Sequence, residues 1–130
     1  MTDRPHDIDT HEEVVALLRD FYQRAFADDL IGPVFLDIAQ MDLEVHLPVI
    51  CDFWETVLFR AGSYKRNALR PHQLLHAKAD LTPAHFARWL QLWCRTIDER
   101  HCGARADQAK LQGTRVAGAM TRRITGEQLE

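Results

Sequence analysis

With 130 residues, 46% of them hydrophobic, the chain amounts to about one domain with enough apolar side chain to bury a core. Its formal net charge of -3, with 27% charged residues, excludes the basic field of a nucleic-acid binder and the acidic run of a solvating tail. No apolar run approaches the roughly 20 residues that a bilayer requires, and Met1 to Asp7 lacks the apolar stretch of a signal peptide, so no membrane association and a cytoplasmic location are expected.

Residues 1–9 are polar and are expected to be loose and flexible, residues 10–125 to form one domain, and residues 126–130 to be a tail. Thr10-His11-Glu12-Glu13 reads as a capping box, with Glu13 reaching back to the Thr10 backbone. Val14, Leu17, Leu18, Phe21, Tyr22 and Ala25 then recur at helical spacing, which predicts an amphipathic helix ending near Asp28 and places Tyr22 on its inner face. Ile31-Gly32-Pro33 breaks that helix and leaves Val34 and Phe35 as apolar anchors. From an Asp42 cap, a further helix is predicted to about Phe59. Val45, Val49, Phe53 and Val57 lie on one stripe of it, and His46, Ile50, Phe53 and Trp54 on an overlapping one. Pro48 removes one backbone hydrogen bond there, so irregularity near His46 is expected.

Lys65, Arg66 and Arg70 place three cations just before a short helix that Pro71 is suited to open, and an anion fits beside them. His72 and His76, at i and i+4, share a face of that helix. Thr82 and Pro83 then supply an N-cap and first position for an apolar helix carrying Phe86, Trp89, Leu90, Leu92 and Trp93. A last helix is predicted from Ala104 to Ile124 through Ala109, Leu111, Val116, Ala119 and Met120. No stretch alternates in the manner of a strand, so the fold class is all-α. Cys51, Cys94 and Cys102 form no C-x-x-C pair, and their odd number suits a reducing compartment and small buried hydrophobes.

Any one inward Tyr, Trp or His is ordinarily core, but several on separate helices suggest a pocket, because histidine is the commonest transition-metal or haem ligand and needs an apolar shell. The chain resembles the group III branch of the truncated haemoglobins. The resemblance is carried by Phe21-Tyr22, Ile31-Gly32-Pro33-Val34-Phe35, His46-Leu47-Pro48-Val49-Ile50 with Phe53-Trp54, Tyr64 with His72 eight residues on, and Phe86-x-x-Trp89-Leu90-x-Leu92-Trp93. It implies a shortened globin fold, a two-over-two helical sandwich around haem b, with iron ligated by His72. The spacing from Tyr64 and the helix start at Pro71 favour His72, while His76 remains the alternative register and is otherwise a residue on the propionate side. The resemblance also implies a distal set of Tyr22, His46 and Trp89. Haem contacts then come from Phe35, Ile50, Phe53, Trp54, Tyr64, Leu69, Phe86, Leu90 and Trp93, with Lys65, Arg66 or Arg70 at the propionates. His85 is expected to pack or face solvent in the first turn of its helix, and His6, His11 and His101 to lie on the surface.

Two hydrogen-bond donors, the Tyr22 hydroxyl and the Trp89 indole, would hold O2 firmly. The implied ligands are O2, CO and NO, and firm binding argues against simple oxygen transport and leaves storage, sensing, or redox chemistry on O2, NO or peroxide with electrons from a separate reductase. At this level a non-haem metal bundle built on His72 and His76 and a cofactor-free helical interaction module remain open as alternatives.

Overall fold

The structure, a computed structural model, describes residues 5–38, 42–59 and 81–125, and the side chains among them except those of 37, 38 and 123–125. The expected Pro71 helix with His72 and His76 lies outside the described residues, as do Tyr64, Lys65, Arg66, Leu69 and Arg70.

Helix α1 spans His11–Ala27. Thr10 caps it by accepting from the Glu13 N–H at 3.2 Å. The Glu13 carboxylate reaches one residue further back than expected, accepting from the Asp9 N–H at 3.1 Å as well as from the Thr10 hydroxyl at 3.3 Å. Its buried face is the predicted one: Val14, Leu17, Leu18, Phe21, Tyr22 and Ala25. A single wide helical turn, Val34–Ile38, follows.

Helix α2 spans Leu43–Phe59, with Asp42 accepting from the Glu44 N–H at 3.0 Å. Here the expected stripes are corrected, because the buried residues are Leu47, Cys51, Trp54 and Leu58, while Val45 stands exposed. This helix is apolar around most of its circumference, so periodicity alone does not select the face that meets α1. Its second apolar face, with Ile50, Phe53 and Val57, is only half-buried.

Helix α3 spans Pro83–Arg100 behind Thr82. His85 closes its first turn, its Nδ1 accepting from the Thr82 N–H at 3.1 Å. Helix α4 spans Ala104–Thr125 and buries Ala106, Ala109, Ala117 and Met120, while Leu111 stands exposed. The four helices close a ring: α1 packs on α2 and α3, and α4 packs on the same two. Small residues on α4 allow close approach to α3. A Cβ at Gly113 would stand 2.5 Å from the Trp93 ring, so only glycine fits beneath that indole.

Residues 5–9 are not loose, and this too is a correction. Ile8 is 0% exposed and belongs to the main core. The Asp7 carboxylate accepts from the Arg105 and Ala106 N–H groups at 3.0 and 2.8 Å, which satisfies two of the orphan donors at the start of α4. Gly103, at φ +136°, makes the turn into that helix, and a side chain there would collide with Asp7. His101, expected at the surface, is 5% exposed beneath this segment. Among the described residues there is no strand, only an isolated backbone bridge between His6 and His101, and no helix is long and apolar enough to cross a membrane.

Candidate functional site

Asp28 sets the geometry where α1 gives way to the wide turn. Its carboxylate accepts from the Leu30 and Ile31 N–H groups, each at 3.0 Å, and pairs with Arg88 of α3 at 2.8 Å. Burial opposes ionisation, but the Ile31 N–H, the Arg88 guanidinium and the Leu30 N–H outweigh it and hold this carboxyl below its ordinary value. Gly32 is required next, because a Cβ there would meet the Phe26 carbonyl oxygen at 2.5 Å. The chain therefore doubles back at once and delivers Phe35 onto α1, its ring 5.9 Å from that of Tyr22 and 5.8 Å from that of Phe26.

From Tyr22 an aromatic series crosses the interior. Tyr22 lies 4.9 Å from Phe21, and Phe21 meets Trp89 at 5.7 Å and Trp93 at 5.2 Å, all edge-on. Trp93 stacks on Trp89 at 6.1 Å and lies 4.5 Å from Trp54, which touches Phe53 at 5.1 Å. Residues from α1, the wide turn, α2 and α3 thus converge. Offset and edge-on pairs of this kind add to the stabilisation from burial alone.

Polar atoms divide this cluster in two. The Trp93 indole N–H donates to the Ala109 carbonyl at 3.0 Å, and Trp93 is 1% exposed. It is core, a peg between α3 and α4, and its polar atom is already committed; the expected cofactor contact is not what its surroundings favour. By contrast, the Tyr22 hydroxyl and the indole N–H groups of Trp54 and Trp89 have no hydrogen-bond partner among the described residues. Burial raises the Tyr22 phenol well above its ordinary value, so at neutral pH it carries its proton and acts as a donor. Three donors beside one another without a partner among the described residues can serve an acceptor that comes from outside the chain.

Phe35, Ile50, Phe53, Trp89 and Leu90 pack against the main core yet remain half-buried. Phe86 belongs with Val34, Leu81, Ala117 and Met120 in a second cluster, which Trp89 and Leu90 join to the first. His46 is exposed on α2 and takes no part in these ring contacts, so the structure brings Tyr22 and Trp89 together around Phe21 without it. Half-buried apolar rings from three elements, with unbonded donors among them, fit a flat apolar group that carries a polar ligand. On the described side the residues therefore suit haem. Of the cysteines, Cys51 is buried and its thiol is pushed up to about 11 by burial, with Glu55 and Asp52 adding to it, while Cys94 is half-buried and Cys102 is exposed instead of buried as expected.

The class that these features define is the truncated globin fold, an all-α arrangement. Among solved structures the chain is similar to a group III truncated hemoglobin from Campylobacter jejuni, with a TM-score of 0.79 over 93% of this chain and 95% of that one, at 19% sequence identity. No protein-family model and no curated protein matches the chain.

Proposed function

We propose that this chain is a cytoplasmic haem b protein of the group III truncated haemoglobin kind, which binds O2 and related diatomic ligands at a site lined by Tyr22 and Trp89. The observation that carries this reading is the pair of unbonded donors, the Tyr22 hydroxyl and the Trp89 indole N–H, flanking Phe21 within the truncated globin fold. Haem iron held by a histidine supplies the reversible binding of diatomic ligands. His72 is the proximal ligand in this reading, with His76 the alternative register.

The remaining work falls to the chain. Phe35, Ile50, Phe53 and Leu90 exclude water, Asp28 and Gly32 hold the Phe35 turn in place, and Tyr22 and Trp89 donate to the polarised ligand. His46, exposed on α2, is suited to governing entry and not to holding the ligand. Firm retention suits storage, sensing or turnover of NO or peroxide, with electrons drawn from a separate reductase, better than transport.

The test is the rate of O2 release from the haem-loaded protein. Hydrogen bonds to a charged or polarised acceptor are worth roughly 1.5–3 kcal/mol, so Tyr22→Phe and Trp89→Phe should each speed release by about 10- to 150-fold. An unchanged rate in both single variants and in the double variant would remove these donors from the site.

A further inference from the structure

A second cluster of ligating groups lies where residues 5–9 cross the end of α3, apart from the aromatic interior. His101, the C-cap of α3, is buried, and its Nδ1 lies 2.9 Å from the His6 carbonyl oxygen. A carbonyl only accepts, so Nδ1 carries the proton and Nε2 carries a lone pair. That Nε2 is the buried side-chain polar atom left without a partner among the described residues. Beside it, the exposed His6 ring pairs through Nε2 with Glu13 Oε2, while the other Glu13 oxygen is occupied by Asp9 and Thr10. One ligating atom from each of His6, Glu13 and His101 lies within 4.8 Å of the others. A recess of about 400 Å³ adjoins them, with Glu12 and Glu99 on its wall.

We propose that His6, Glu13 and His101 form a binding site for a divalent transition metal of the zinc class, which fastens residues 5–9 to α1 and to the end of α3. Two imidazoles and one carboxylate are the donor set of Zn²⁺, Co²⁺ or Ni²⁺, whereas Mg²⁺ and Ca²⁺ take oxygen ligands. The His6 carbonyl bonded to Nδ1 is the outer partner that commonly fixes the tautomer and orientation of a ligating histidine. A tetrahedral shell with bonds of about 2.1 Å brings its ligand atoms to roughly 3.4 Å apart, and the exposed His6 ring closes that distance. The metal takes the place of the proton between His6 and Glu13, which leaves to solvent, and water completes the shell.

The test is calorimetric titration of the full chain with Zn²⁺, alongside thermal melting. One equivalent is expected to bind, to release protons and to raise the melting temperature. His6→Ala, at an exposed position, and Glu13→Gln should each abolish it, while Cys102→Ser should keep it. Absence of a saturable equivalent, its survival in His6→Ala, or its loss in Cys102→Ser would overturn the site.

Discussion

The aromatic interior and the clasp made by residues 5–9 treat their polar atoms in opposite ways. In the clasp, Asp7 caps α4, Glu13 caps α1, and Arg105 reaches the Ile8 carbonyl at 3.4 Å and Asp9 at 3.1 Å. Nearly every donor there has an acceptor. Around Tyr22, by contrast, rings supply the contacts while a hydroxyl and two indole N–H groups remain unbonded among the described residues. Donors left open on several adjacent residues suit an acceptor that comes from outside the chain. In the clasp the bonded residues serve the fold, and the atom left over, His101 Nε2, belongs to the proposed metal site.

Substitutions on the two sides should therefore behave differently. Trp93→Ala removes both the peg between α3 and α4 and the bond to Ala109, and should lower stability by about 3–5 kcal/mol in denaturant unfolding. Asp7→Ala should lower it by about 1–2 kcal/mol by uncapping α4. Burial opposes ionisation of Asp7, but the Arg105, Ile8 and Ala106 N–H groups prevail and lower its value in the folded state. A lowered folded value means that the stabilisation is complete above the unfolded carboxyl value, near 4, and drains away as pH falls through the folded one. The Asp7→Ala penalty should accordingly shrink between about pH 5 and about pH 3, which urea melts across that range would reveal. Tyr22→Phe should have the smallest effect, changing the stability of the haem-free chain by no more than about 0.5 kcal/mol, since it keeps the ring contacts and its hydroxyl has no acceptor to lose among the described residues. A penalty above 2 kcal/mol would place Tyr22 with Trp93 as framework.

The comparison also explains what the sequence made legible. Thr10 and the Thr82-Pro83 pair announce their helices through local chemistry, and the α1 stripe is clean because its other face is charged. The end of α1 near Asp28 reads correctly, whereas Gly32 and Pro33 lead into the wide turn instead of breaking the helix before it. The clasp is hidden because Asp7 caps a helix that begins almost a hundred residues later, and one Ile8 among polar neighbours gives no period. His101 shares that fate: its burial depends on a strand-like contact with His6 that no spacing rule describes. In α3, Phe86, Trp89, Leu90 and Trp93 share one face, so periodicity places all of them inward without distinguishing the indole that bonds Ala109 from the one that stays unbonded. Gly113 decides that, from a different helix. The face of α2 is hard to read for the opposite reason, an excess of apolar residues.

The most direct test of the account is a titration of the purified chain with haemin, followed by reduction and exposure to CO. The account predicts saturation at one equivalent, quenching of tryptophan fluorescence and a sharp Soret band that shifts with CO, with His72→Gly losing the retained haem. Absorbance that rises without saturation and keeps the shape of free haemin would contradict it.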